Sequence, residues 1–427
     1  MAAYVGTAFT RAKNYNYPDA FVECLNSTDG TKYNLHAHEY SCIHFAFCSC
    51  PRMSAEPDIA GRGVVGSFTV TAFFTLCLAI FCLVVGRTNE ARQSFNPIDR
   101  LARKHVSEPI RRIMFRVGMN PDLQSLVAYD LVNAFSDLQL VTGLAVLVGG
   151  IKELADGKIS TYHFMIVTDL AWFCTLTHLL SLVVTRSVRD SVKRTHPQRY
   201  RHENIELAAR LARALRICFM AATFVLLNYA FWVTGYEDIY VQGQYRCPMK
   251  CAIDKPKGGR PWRLMVINMT LMSYCYAVQM FLSWRTGRLF WMDHIRGHLV
   301  DKKGQPINLL KPEVVFKRWI ENKMWKGLKM SLLTVWYFLA SEVETMLGLT
   351  VYFGFGVYSL VDDRVRGHSE MEDDIRHEEN GLTFSQLVPI FLLIIPFMGF
   401  FESYARHSKA FRESDAKELD SCPSEGP

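Results

Sequence analysis

Apolar residues in this 427-residue chain gather into runs about twenty residues long, separated by polar segments. The clearest are Gly66–Gly86, Asn133–Ala155 (most apolar at Leu144–Gly150), Thr161–Thr185, Ile217–Gly235, Met265–Trp284 and Phe384–Phe401. A further run, sixth in chain order, lies within Met330–Val361 and contains Glu342 and Glu344. It reads either as one long tilted helix or as an interfacial helix followed by a span that begins near Leu339. An apolar run of about 20 residues crosses the ~30 Å hydrocarbon layer as a helix. Lipid offers no partner to backbone polar groups, so each run must be helical. The pattern predicts an all-α, polytopic membrane bundle of seven transmembrane helices.

Composition alone leaves the class open, since 50% of residues are hydrophobic and mean hydropathy is only +0.06. The placement of charge adds orientation. Arg87–Val132 holds eight Lys/Arg, Arg186–Arg216 nine and Arg285–Lys329 eleven. The alternate connections are sparser, with five in residues 1–65, one in Asp156–Ser160, five in Tyr236–Trp262 and three in Asp362–Thr383. Basic residues concentrate in cytosolic loops. The N-terminus is therefore expected outside or in a lumen and the C-terminus in the cytosol. The net charge of +7 then needs no nucleic-acid partner. Endoplasmic reticulum, another endomembrane or the plasma membrane would each suit such a chain. The implied partners are the lipid bilayer and a hydrophobic small molecule, with the oligomeric state left open.

Cysteines agree with that orientation. Cys24, Cys42, Cys48 and Cys50 precede the first run, and Cys247 and Cys251 follow the fourth. Both regions are expected to be non-cytosolic, where disulfides persist. Six cysteines allow 15 pairings, and spacing does not choose among them. Cys42, His44, Cys48 and Cys50 do not match paired zinc-ligand spacing, so disulfides are favoured and no metal is expected. Asn26-Ser27-Thr28 is a glycosylation acceptor in the same segment. The expected organisation is a cysteine-bearing cap over 1–65, a membrane domain over 66–405 and a disordered cytosolic tail over 406–427. No apolar stretch marks the first 20 residues as a cleavable leader, so the first run is expected to act as a reverse signal anchor. A short amphipathic helix is expected near Asp99–Val117 in the first cytosolic loop. The third, Arg285–Lys329, mixes Trp291, Phe316, Trp319 and Trp325 with its basic residues, as a headgroup-level segment or a solvated loop would.

Ionisable residues inside spans are costly and therefore candidates for function. In the second span Asn133 and Asp137 share a face, with Ser136, Gln139 and Gly143 as a neighbouring stripe. The third contains Tyr162, His163, Asp169, Trp172, Thr175, Thr177 and His178. The short Asp156–Ser160 connection makes these two helices antiparallel neighbours. At ~1.5 Å per residue, Asp137 and His178 lie at similar depth and could meet, with Asp169 nearer the middle. A carboxyl group in an apolar site can serve as an acid near neutral pH. Interhelical hydrogen bonding uses the same residue types and is the competing reading. Glu342 joins the acids only if the sixth span starts before it. Gly348, Gly354 and Gly356 would permit close helix packing, and Pro389 and Pro396 would kink the last span. No Walker loop, dinucleotide fingerprint or His-Glu-x-x-His motif occurs.

The run Ser136-Asp137-Leu138-Gln139-Leu140-Val141-Thr142-Gly143, then Tyr162-His163, Asp169-Leu170-Ala171-Trp172, Thr177-His178 and Gln386-Leu387-Val388-Pro389, resembles a group of filamentous-fungal multispan proteins. Within it, the chain is similar to the ascofuranone-type integral-membrane terpene cyclases. The resemblance covers most of the membrane domain and not the cap. It implies acid-initiated cyclisation of a prenylated aromatic (meroterpenoid) epoxide in fungal secondary metabolism, with no metal, nucleotide or other cofactor. Asp137, Asp169 and Glu342 would then be candidate acids and His178 a base or orienter. Trp172 would stabilise a carbocation, and Gln139, Tyr162 and His163 would line the substrate site.

Two other classes remain open at this level. A seven-span receptor or sensor fits the topology, although the third span ends Thr185-Arg186-Ser187 without an Asp-Arg-Tyr motif. A transporter fits less well, since the span count is odd and no inverted repeat is visible.

Overall fold

A computed structural model describes residues 21–25, 31–36, 49–50, 52–86, 97–195, 203–235, 245–252, 259–283, 335, 338 and 341–421. Near the N-terminus, β1 (Phe21–Leu25) and β2 (Lys32–His36) form an antiparallel hairpin in register from Phe21↔His36 to Leu25↔Lys32. Every other described element is helical. In chain order these are α1 (Pro57–Ala60), α2 (Arg62–Val85), α3 (Pro97–Ala102), α4 (Glu108–Arg116), α5 (Pro121–Asp156), α6 (Thr161–Thr195), α7 (Glu203–Val233) and α8 (Met249–Ala252). They continue as α9 (Gly259–Ser283), α10 (Glu342–Ser369), α11 (Asp373–Asn380), α12 (Phe384–Leu392) and α13 (Ile394–Ser421).

Among the described residues, six helices are long and apolar enough to cross a membrane. They are Pro57–Val85, Pro121–Asp156, Thr161–Thr185, Ala214–Val233, Val343–Ser369 and Gln386–Lys409. These spans place the protein in a lipid bilayer. The run expected as a fifth span, Met265–Trp284, is helical through Ser283 as α9 and is not among the six found in the described residues.

The bundle is organised around α6. In its span 94% of residues are buried, against 11% in Gln386–Lys409. Helices α2, α5, α7, α9 and α10 all pack on it. The α5–α6 hairpin turns at Gly157, whose φ of +72° suits glycine and lets the N–H groups of Gly157 and Lys158 close the last turn of α5. Because the start of α6 is inside protein, its first N–H groups need partners. The segment 245–252 supplies them: the N–H groups of Thr161 and Tyr162 donate to the carbonyls of Cys247 (2.8 Å) and Tyr245 (3.0 Å). A Cys50–Cys247 disulfide ties that segment to the N-terminal chain.

Several expectations shift. The amphipathic helix of the first connection is present as α3 and α4, joined by a π-helical turn at Arg103–Ser107. Arg111 from α4 bonds both the carbonyl of Val85 (2.5 Å) and Asp122 (3.0 Å), clamping the end of α2 to the start of α5. The sixth span starts at a Ser341 cap, whose hydroxyl accepts from the Glu344 N–H (3.0 Å), and runs past Val361 to Ser369. Asp362, Asp363, Arg364, Arg366 and His368, expected in the connection Asp362–Thr383, thus lie on a helix. The last span breaks at Leu393, between α12 and α13, where Pro396 cannot donate to a carbonyl one turn back. Helix α13 continues through Ser421, into the stretch expected as a disordered tail. Its Ala, Glu, Lys and Arg content supports helix there.

Candidate functional site

The stripe on α5 is what joins it to α6. The Ser136 hydroxyl bonds His178 Nδ1 (2.9 Å), and Thr177 donates to Gln139 Oε1 (2.8 Å). Gln139 Nε2 donates to the Phe68 carbonyl of α2 (3.0 Å). Gly143 leaves room for Cys174, which a Cβ there would meet at 2.3 Å. Asn133 Oδ1 accepts from Ser181 and Thr185, both at 3.1 Å. Gln139 is therefore occupied on both ends of its amide, as an interhelical link. Each such bond contributes roughly 0.6 kcal/mol in a membrane.

Asp137 does not meet His178. Successive helix residues turn ~100° apart, so Ser136 faces α6 while Asp137 points away. Asp137 instead pairs with Arg216 of α7 at the rim, where the two side chains are 43% and 42% exposed. His178 is 1% exposed and its Nε2 has no hydrogen-bond partner. Around the Asp137–Arg216 pair lies a cavity of about 410 Å³, with Asn133 and Pro396 among its walls.

Two glycines bring α10 against α6. A Cβ on Gly356 would lie 2.6 Å from the Trp172 ring, and one on Gly367 would lie 2.1 Å from the Tyr162 ring. Among the described residues, Gly354 has nothing within 4 Å of an added Cβ and Gly348 only a Glu344 oxygen at 3.9 Å. Between the working pair, the buried carboxyl groups of Asp169 and Asp363 face each other, with the Ser359 hydroxyl alongside. Asp169 Oδ2 has no hydrogen-bond partner among the described residues. One turn further along α6, Trp172 Nε1 donates to the Tyr352 carbonyl (3.1 Å) and its ring meets Phe231, Tyr352 and Phe355 edge-on or tilted. A narrow apolar cleft opens here, lined by Trp172, Leu176, Leu179, Met272, Cys275 and Tyr352.

At the disulfide end, one fully buried carboxylate collects three donors. Glu379 of α11 accepts from the Tyr162 hydroxyl (3.0 Å), His163 Nε2 (2.8 Å) and His368 Nε2 (2.9 Å). Ser160 Oγ fixes His163 through its Nδ1 (2.7 Å). Burial pushes the Glu379 carboxyl up, but the bonds from His163 and His368, the His163 charge and the Tyr162 hydroxyl outweigh it and hold it at about 2. Gln386 secures the loop behind: its Oε1 accepts from the Gly63 N–H (2.9 Å) and its Nε2 donates to the Gly381 carbonyl (2.6 Å).

The chain is distantly similar to Elsinochromes biosynthesis cluster protein HP3 of Elsinoe fawcettii. The two are 28% identical over 176 residues, which is 41% of this chain and 62% of the relative. The match thus spans a little under two thirds of the relative's length. No family model and no solved structure matches the chain.

The expected site residues therefore separate. Asp169, Trp172, Tyr162 and His163 lie on one side of α6, against α10 and α11. His178 faces α5, Gln139 reaches from α5 to α6 and α2, and Asp137 is at the far rim. Glu342 is the first residue of α10, and its side chain lies outside the described residues, as do Asn26, Cys42, Cys48 and the Cys24 side chain. The basic connection 285–329 also falls there. Cys50 pairs with Cys247, and Cys251 is disulfide-bonded as well. Among the described residues, no cluster of three His, Cys, Asp or Glu could hold a metal. Sequence reading missed Asp363, His368 and Glu379, all of which it left in the connection Asp362–Thr383. The signal was the spacing of Gly356, Asp363 and Gly367, which puts the three on one helical face.

Proposed function

We propose that the protein is an integral-membrane enzyme of fungal secondary metabolism that cyclises a hydrophobic prenylated epoxide by proton transfer. The seven-span arrangement, N-terminus outside and C-terminus in the cytosol, in an endomembrane, belongs to the same proposal. The observation that carries it is the facing pair Asp169–Asp363, buried between α6 and α10 one turn from the narrow apolar cleft that Trp172 and Tyr352 help to line. Two carboxyl groups pressed together without water hold a proton between them, because two carboxylates there would repel. That proton passes to the epoxide oxygen as its C–O bond breaks. The cation left on carbon is attacked by a substrate double bond, and the Trp172 and Tyr352 rings face it. Loss of a proton to the carboxylate completes the cycle and restores the acid. Excluding water keeps the cation from hydration. Similarity to a biosynthesis cluster protein supports the setting. In this reading Asp169 keeps the role of acid with Asp363 as its partner, while Asp137, held by Arg216, does not share it.

Expression in a host fed prenylated-phenol epoxides, with product analysis of microsomes, tests the proposal. Asp169→Asn and Asp363→Asn should each lower turnover about 10²–10⁴-fold, the usual weight of general acid catalysis. Full turnover in both variants, or no cyclised product from any substrate offered, would overturn it.

A further inference from the structure

The cavity at the rim opposite the disulfide lies where three candidate spans end or begin. Asp130 and Asn133 come from the first part of α5, Arg216 from the start of the span Ala214–Val233, and Glu402, Ser403 and Arg406 from the close of Gln386–Lys409. That places it at the level of lipid headgroups rather than mid-membrane. Its walls differ along the cavity. Leu131, Ala134, Pro396 and Gly399 make an apolar side, and a Cβ on Gly399 would meet nothing within 4 Å. The other side is charged and internally compensated. Asp137 pairs with Arg216, Glu402 with Arg406 (2.8 Å), and Asp130 accepts from Ser403 (2.6 Å) and His407 (3.0 Å).

We infer that this cavity is a binding site for one zwitterionic phospholipid, its headgroup among the charged residues and an acyl chain along the apolar wall. A bare anion would face three carboxylates, and a bare cation two guanidinium groups. A phosphate joined to an ammonium can exchange partners with both ion pairs and leave no charge unmatched. The apolar wall distinguishes a lipid from a soluble headgroup, and about 410 Å³ holds a headgroup with the start of a chain. The inference does not rest on the cyclase proposal, since the carboxyl pair and cleft lie elsewhere in the bundle.

Native mass spectrometry of the purified full-length protein in detergent, titrated with phosphatidylcholine, phosphatidylglycerol and glycerophosphocholine, tests it. One phosphatidylcholine should be retained per chain, about tenfold better than the anionic lipid or the chainless headgroup. Gly399→Leu, which fills the open side, and Arg216→Gln should each weaken retention about tenfold without moving the melting temperature. If Gly399→Leu lowers the melting temperature, Arg216→Gln decides. Equal or tighter phosphatidylglycerol binding, equal binding of glycerophosphocholine, or unchanged retention in Arg216→Gln would each overturn the inference.

Discussion

The two ends of the bundle treat charge in opposite ways. At the disulfide end, Glu379 is fully buried and Tyr162, His163 and His368 all donate to it. At the other end, Asp137 and Arg216 form a single pair, each a little over 40% exposed, beside an open cavity. The first arrangement is sealed by the 245–252 segment, the Cys50–Cys247 disulfide and the Gln386 latch. The second opens onto the cavity at the rim. A buried charge survives only when its bonding capacity is filled, whereas an exposed pair is screened and replaceable. The disulfide end is therefore built for rigidity, and it holds α10 in the place where Asp363 can face Asp169. The opposite end can exchange partners.

Replacing Glu379 should produce the largest structural effect. Glu379→Ala leaves the buried Tyr162 and His163 and the partly buried His368 without their acceptor, a loss of about 3–5 kcal/mol. Thermal unfolding in detergent should show it as a large fall in melting temperature. Glu379→Gln keeps one acceptor oxygen and should fall between alanine and the native protein. If alanine costs no more than glutamine, the cluster is not what holds this end together.

Next comes the approach of α10 to α6. Gly367→Leu puts a side chain where the Tyr162 ring now lies, so α10 must withdraw or Tyr162 must leave Glu379. Overpacking of this kind costs about 1–3 kcal/mol. Gly354→Leu, at a position with open space, should cost far less. Equal melting temperatures for the two variants would show that Gly367 does not set the helix distance.

Much of this contrast was legible in the sequence, and the illegible part has one physical cause. The Ser136, Gln139 and Gly143 stripe and the burial of Asp169 follow from helical period and from the cost of polar groups in lipid. Depth along a helix could be counted, but not the direction a side chain points. That is why Asp137 and His178, similar in depth, could have met but do not. Asp363, His368 and Glu379 were hidden differently. Hydropathy falls at Asp362-Asp363-Arg364, so the span was expected to end at Val361, although the helix runs on to Ser369 with one charged face turned inward.

A pH series sharpens the comparison through Glu379 alone. Its folded carboxyl lies at about 2, below the ordinary 4.5. A lowered carboxyl stabilises the fold fully above the ordinary value and loses that contribution as pH falls toward 2. The gap in melting temperature between native protein and Glu379→Gln should therefore be constant near pH 7 and narrow between about pH 4.5 and pH 2. A gap that does not change with pH would mean that the carboxylate charge contributes nothing.

The smallest effect is expected at the open rim. Asp137→Asn removes one partner of a half-exposed pair, and such pairs are worth about 0–1 kcal/mol. Arg216 keeps access to water, so no buried charge is stranded, and melting should shift little. The same change from acid to amide at Asp169 strikes a group 7% exposed that faces the buried Asp363. The two substitutions are chemically identical and lie on adjacent helices, so the difference between them measures environment alone. A large loss of stability in Asp137→Asn would place that residue with the sealed end, and the division between the two ends would not stand.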